Sequence, residues 1–271
     1  MNLLFAINQN FTKLLCHCLH SIIKNGGAEH YDAYILHSDL DETSIAEIQR
    51  KTGAAVTCHF IAVDEAIFHG FPESKRYPKQ IYYRLAAPIL LPKHMDRILY
   101  LDVDLVVINP LQELYNMDFE GNYYIACSHT DEYLTKFNQI RLGVEDGVPY
   151  INTGVMMMNL PLLRSDMNIG KIRETAQKKM HTFLLPDQDL LTMMHGEHIK
   201  LIDTMRYNLS DRLLTFYNLN PKNKKLDLDW VRKNAVIIHY FGKNKPWNEH
   251  YKGVLDVLYH ENTHDAGLVS E

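Results

Sequence analysis

What most constrains this chain is the alternation of apolar segments up to Val63. Leu3 to Ile7 is a short apolar run that reads as a strand. Phe11, Leu14, Leu15, Cys18, Leu19, Ile22 and Ile23 follow at helical spacing, which gathers their side chains on one stripe, and Gly26-Gly27 ends the helix. Tyr34-Ile35-Leu36 reads as a second strand, Asp41 to Lys51 as a helix stopped at Gly53, and Ala55 to Val63 as a third strand. Strand, helix, strand, helix, strand at this pace predicts an α/β fold with a mostly parallel central sheet flanked by helices.

Further on, Gln80 to Leu91 reads as a helix with a late proline, Pro88. Arg97 to Leu101 is a buried strand that stops abruptly at Asp102-Val103-Asp104. Val155-Met156-Met157-Met158 marks another strand, with a helix expected from Pro161 to Met180 and one more from Asp187 to His195. Val236-Ile237-Ile238 is the last clear strand and runs straight into His239. No linker-like stretch divides the 271 residues, so a single domain over 1–247 with a C-terminal tail over 248–271 is the economical division.

Composition narrows the function. A formal net charge of -5 argues against a nucleic-acid partner, which calls for a basic excess. The cluster Lys222, Lys224 and Lys225 reads as a solvated loop. The start lacks the basic and long apolar regions of a signal peptide, and the four cysteines show no paired metal-ligand spacing, so free thiols in a reducing cytoplasm are expected. No stretch reaches membrane-spanning length, and the last residues, His264 to Glu271, carry no basic amphipathic face. At most, weak peripheral contact at the inner face of a membrane is expected.

Open α/β sheets bind ligands at the carboxyl ends of their strands, and three such ends here carry unusual polar residues. Asp102 and Asp104 can face one point once the strand gives way to a turn, and hard divalent cations take oxygen ligands of that kind. His239 can complete such a site, although among fifteen histidines most must be structural. Behind it, Gly242 allows a close backbone approach to a ligand and Lys245 offers a point charge for a phosphate. Asn152-Thr153-Gly154 precedes the methionine strand, and Asp187-Gln188-Asp189 opens the later helix, where Asp187 also suits a helix N-cap.

Six motifs in this order resemble glycosyltransferase family 8, the retaining UDP-hexose transferases that include bacterial lipopolysaccharide galactosyl- and glucosyltransferases and glycogenin. They are Phe5-Ala6-x-Asn8-x-Asn10-Phe11, Tyr83-Arg84-Leu85, Leu99-Tyr100-Leu101-Asp102-x-Asp104, Asn152-x-Gly154, Asp187-Gln188-Asp189 and His239-x-x-Gly242-x-x-Lys245-Pro246-Trp247. The resemblance implies a GT-A fold with a Rossmann-like nucleotide-binding half. It implies Mn2+, with Mg2+ as the alternative ion, on Asp102, Asp104 and His239. It implies a donor site with uridine on Ala6, Asn8, Asn10 and Phe11, the hexose (glucose or galactose) among Arg84, Asn152, Asp187 and Gln188, and the diphosphate on Gly242 and Lys245, with Val103 also among the donor-binding residues. Asn8 stands where many relatives carry Asp, which weakens or rearranges the uracil contact. Asp187 and Gln188 are the implied catalytic residues, and the implied acceptor is a glycan or lipid-linked sugar.

Two other readings stand beside this one. Leu101-Asp102-Val103-Asp104-Leu105-Val106 also fits the nucleophile strand of a haloacid-dehalogenase-type phosphatase, with Asp102 phosphorylated and Asp104 as acid/base. That strand normally opens its fold, whereas here a long α/β stretch precedes it. A non-catalytic sugar-nucleotide binder is the third reading.

Overall fold

The computed structural model describes residues 1–74 and 77–263. The chain begins with β1 (Asn2–Ala6), α1 (Thr12–Asn25), β2 (Tyr31–His37), α2 (Glu42–Thr52) and β3 (Val56–Ala62). It continues through α3 (Tyr83–Leu90), β4 (Arg97–Leu101), β5 (Leu105–Val107), α4 (Gln112–Asn116), β6 (Tyr124–Cys127) and α5 (Glu132–Leu142). Then come β7 (Asn152–Asn159), α6 (Leu160–Asp166), α7 (Ile169–Lys179), α8 (Pro186–His195), β8 (Ile199–Leu201), α9 (Thr204–Tyr207) and α10 (Asp211–Leu219). The described part ends with α11 (Leu228–Asn234), β9 (Ile237–His239) and α12 (Asp256–Thr263).

Seven strands form one sheet in the order β3-β2-β1-β4-β7-β6-β8. Its pairs are parallel except for β7, which runs antiparallel to both β4 and β6. The mostly parallel sheet flanked by helices is therefore as expected. Its inner strands β1, β4 and β6 read as apolar runs because both faces are covered. Leu3, Phe5, Leu99, Leu101 and Met157 pack on one side with Leu15, Leu19 and Ile22 of α1. Leu4, Ile98, Tyr100, Met156 and Met158 pack on the other with α3, α6, α7 and α8.

A third core lies beside the sheet. There β5 and β9 pair antiparallel, and Val106, Ile238, Leu214, Val231, Leu255 and Leu258 are buried together. Residues 255–263 thus pack into the fold, while the expectation for His264 to Glu271 lies outside the described residues. Among the described residues no helix is long and apolar enough to cross a membrane. The four thiols are free, three buried and Cys58 half-buried.

Two expected helices differ in detail. The one from Pro161 to Met180 is two helices, because Asn168 turns its side chain onto the N–H of Lys171 and starts α7 afresh. The one from Gln80 begins as a 3-10 turn over Lys79–Tyr82 and becomes α-helical only at Tyr83. The loop with Lys222, Lys224 and Lys225 is exposed, as expected.

Candidate functional site

The site grows from the short β5–β9 ladder. Leu105 pairs with His239, and the N–H of Tyr240 donates to the carbonyl of Asp104 at 2.9 Å. Two three-residue strands thereby bring a histidine far along the chain against the aspartates that end β4. His239 Nε2 lies 3.1 Å from Asp104 Oδ1 and 3.8 Å from Asp102 Oδ2. The ligand atoms of Asp102, Asp104 and His239 all lie within 4.8 Å of one another.

Those three side chains fit a divalent cation. The backbone beneath them is β7 at Gly154, where a Cβ would come within 2.2 Å of His239 Cε1 and 2.7 Å of Asp102 Oδ2. Any larger residue would push the histidine and carboxylate apart, so glycine is the residue that lets the cluster close. Two carboxylates and an imidazole nitrogen make a ligand set that suits Mn2+ or Mg2+ and leaves positions for substrate oxygens. Burial would raise the Asp104 carboxyl, but His239 and Lys245 outweigh it and hold it well below the usual carboxylate range. Lys245 pairs directly with Asp104 and also donates to the carbonyl of Tyr240 at 2.7 Å.

Arg84 of α3 ties this corner to a second one. Its guanidinium lies over the Tyr100 ring, 4.4 Å from the centroid. It meets Asp102 Oδ1 at 3.1 Å through Nη2 and Asp187 Oδ2 at 3.5 Å through Nε, and donates through Nη1 to the Thr153 carbonyl at 2.9 Å. Tyr100 donates to Asp102 Oδ1 at 2.8 Å, and Thr153 donates to Asp187 Oδ2 at 2.9 Å. Burial opposes the charge on Arg84, yet Asp102, Tyr100 and Asp187 keep it firmly protonated. Burial raises the Asp187 carboxyl despite the pull of Arg84.

These residues open on a cavity of about 860 Å3. Arg84, Asp102, Asp104, Asn152, Asp187 and Gln188 line it, together with His239 and Gly242. Lys245 is not among the lining residues but reaches the cluster by its pair with Asp104, and Val103 is half-buried between the two aspartates. The expected uridine residues are placed apart from this cavity, at the carboxyl end of β1. Leu4 pairs with Tyr100, so the same register carried forward sets Ala6 beside Asp102. Asn8 starts the turn after β1 by accepting from the N–H of Asn10, and Phe11 stands 41% exposed at the head of α1.

Gly242, which lines the cavity, has φ +89° and no protein atom within 4 Å of where a Cβ would lie, so the backbone conformation itself calls for glycine there. Asp187 is not the helix cap. The N–H groups of Leu184 and Leu185, at the start of α8, donate to Asp189 at 2.6 and 3.0 Å. Thr153, Tyr100 and Asn208 were not singled out from sequence as site residues. Thr153 and Asn208 act through hydrogen bonds to partners far along the chain, which leave no periodicity to read, and Tyr100 reads in sequence as one more apolar position of β4.

The description "Glycosyl transferase family 8" matches residues 2–251. A lipopolysaccharide 1,2-glucosyltransferase of Escherichia coli is 26% identical over 92% of this chain and 73% of its own. A putative glycosyltransferase of Haemophilus influenzae is 28% identical over the same shares. The crystal structure of the galactosyltransferase LgtC, in complex with donor and acceptor sugar analogues, superposes with a TM-score of 0.81 at 23% identity, covering 100% of this chain and 98% of that one. That likeness shows the GT-A fold. A phosphatase built on Asp102 is thereby set aside: the chain belongs to glycosyl transferase family 8 and is a hexosyltransferase.

Proposed function

We propose that the protein transfers glucose or galactose from a UDP-sugar, with retention of anomeric configuration, to a glycan or lipid-linked acceptor, and that it needs Mn2+ or Mg2+ to do so. The observation that carries this reading is the convergence of Asp102, Asp104 and His239 over Gly154, at the edge of a cavity large enough for a sugar nucleotide. A cation held by those three residues would supply positive charge to the diphosphate as it takes up the electrons of the breaking anomeric bond. Lys245 adds a second positive charge on the same side, and such groups act best where charge develops in the transition state. Arg84, Asn152, Asp187 and Gln188 hold the sugar, and Ala6, Asn8, Asn10 and Phe11 hold the uridine beyond Asp102.

Retention through a covalent intermediate would need a nucleophile beneath the ring. Gln188 is the residue in that position by family resemblance, and its amide oxygen is a weak nucleophile. Asp187 is already engaged by Thr153 and Arg84. We therefore favour attack from the face the leaving group departs, with the departing phosphate taking the acceptor proton. A glycosyl adduct trapped on Asp187 or Gln188 would overturn that step. The named substrate of the Escherichia coli relative supports a lipid-linked acceptor, reached from the cytoplasmic side by weak peripheral contact.

The test is UDP release from UDP-glucose, UDP-galactose and their N-acetyl forms, with and without Mn2+. Release from one donor that depends on Mn2+ and drops about a hundredfold or more in Asp104→Ala is the expected result. Metal-independent release, or release untouched by the substitution, would reject the metal reading. Tight UDP-sugar binding with no release from any donor, with or without acceptor glycans, would point to the non-catalytic binder.

A further inference from the structure

We propose that Asn208, at the end of α9, is a positioning residue that fixes two site residues at once: it sets the tautomer of His239 and the orientation of the Asn152 amide. The proposal rests on the metal reading above for its consequence, though not for its geometry.

The assignment starts from a backbone group whose role is fixed. Between Ala126 and Cys127 the register of β6 against β7 shifts, and within the bulged stretch of β7 the N–H of Gly154 turns to the side chain of Asn152 at 3.1 Å. A backbone N–H can only donate, so the Asn152 atom it meets is the oxygen. The same oxygen lies 3.0 Å from the Asn208 side chain, which must therefore present its NH2 there. The other end of the Asn208 amide is then its oxygen, and it lies 2.9 Å from His239 Nδ1. His239 must carry a proton on Nδ1. Nε2 is then the nitrogen that faces Asp102 and Asp104, and its lone pair is the one a cation held there would take. Without such a chain, amide orientation and histidine tautomer would be free choices.

Asn208 is held firmly enough for this work. It is 0% exposed, and its own N–H donates to Thr204 at 3.0 Å. Its carbonyl lies 2.9 Å from His129 Nε2. The next residue, Leu209, is clamped to β9 on both sides: its N–H donates to Ile237 at 3.0 Å and its carbonyl accepts from His239 at 2.7 Å. Histidine ligands elsewhere use their second nitrogen in the same way, against a carboxylate or a carbonyl. Here a side-chain amide takes that place, and its NH2 gives it a second task. With the Asn152 oxygen occupied by Gly154 and Asn208, the Asn152 NH2 is the end left for a ligand in the cavity.

The experiment has two arms. In metal-free parent labelled with 15N-histidine, NMR should report a proton on His239 Nδ1; a ring protonated on Nε2 alone would overturn the proposal whatever the fate of the metal reading. In the second arm, Mn2+ affinity is measured by EPR titration for the parent, Asn208→Ala and Asn208→Asp. Asn208→Ala should weaken Mn2+ by about 10- to 100-fold. Asn208→Asp keeps an acceptor for His239 Nδ1–H, so its Mn2+ affinity should stay within about threefold of the parent. It puts a carboxylate where Asn152 offers its oxygen, so UDP-sugar turnover should fall all the same. Equal loss of metal affinity in both variants would make Asn208 merely structural, and unchanged affinity in folded Asn208→Ala would remove its role. Should Asn208→Ala not fold, the tautomer and Asn208→Asp decide. A parent that binds no Mn2+ would sink the metal reading and leave the tautomer assignment to stand or fall on the first arm.

Discussion

Helix α8 carries two carboxylates two residues apart, and each meets an arginine, but the two pairs are built for different ends. Asp189 is 0% exposed and takes five hydrogen bonds: two from Arg141 at 2.9 and 2.6 Å, one from the Tyr150 hydroxyl at 2.6 Å, and those from the Leu184 and Leu185 N–H groups. Every lone pair of that carboxylate is used, and none is left for a ligand. Asp187 faces the cavity with one short bond, from Thr153, and a looser contact with Arg84 at 3.5 Å. The residue types are the same. What separates a structural ion pair from a site is how much bonding capacity the fold leaves unspent.

The comparison breaks first at Asp189. Asp189→Ala strands the Arg141 charge in a half-closed pocket and removes the acceptor at the start of α8. Loss of one partner from a buried pair costs about 3–5 kcal/mol, a large share of an ordinary domain's stability. Urea unfolding of the variant should show a midpoint far below the parent, or no soluble protein at all. A loss under about 1 kcal/mol would mean that Asp189 is no more committed to the fold than a surface pair.

Asp187 should behave the opposite way. Asp187→Asn keeps size and polarity, and Thr153 can still donate to its carbonyl oxygen. Stability should change by about 1 kcal/mol or less. UDP-sugar turnover should fall by about a hundredfold, because a misplaced sugar loses its alignment with the acceptor. If instead the variant unfolds early and the remaining folded enzyme turns over normally, the two carboxylates have been assigned the wrong way round.

The sequence carried this motif as one unit, Asp187-Gln188-Asp189, and could not divide its labour. The parts of the molecule that were legible share a cause. β1, β2 and β4 are covered on both faces and so read as largely apolar runs, and α1 buries a continuous stripe including Leu15, Leu19 and Ile22. Asp102 and Asp104 stand out because carboxylates end such a run. What stayed hidden lacks that contrast. β5, β6 and β8 have three or four residues each. α5 turns Tyr133, Phe137 and Ile140 to solvent, so its apolar positions do not mark a core face. Thr153 and Asn208 are ordinary polar residues until the fold sets them beside Asp187 and His239, and only distance reveals them.

A milder perturbation sharpens the contrast without disturbing α8. Tyr150→Phe removes one donor from Asp189 and leaves Arg141 and the two N–H groups in place. Hydrogen bonds to charged groups contribute about 1.5–3 kcal/mol, and the aromatic packing is kept, so a loss near the lower end is expected from denaturant midpoints. Donor turnover should not move. A drop in turnover larger than the stability loss would show that the Asp189 pair reaches into the cavity after all.

The smallest effect separates the carboxylates by pH. Burial, only partly offset by Arg84, raises the Asp187 carboxyl above its ordinary value of 3.8. Through the window that opens at 3.8 and extends upward, the folded protein therefore holds this proton more tightly than the unfolded chain. Linkage then fixes the sign: the contribution of Asp187 to stability is fully present below 3.8 and is lost as pH rises through the folded value. Measured against Asp187→Asn, which cannot titrate there, the parent should gain relative stability as pH falls from neutrality through that window. A parent that loses ground to the variant on acidification would mean that Asp187 is held ionised by its partners, as a fully satisfied carboxylate would be, and the distinction between the two acids of α8 would be gone.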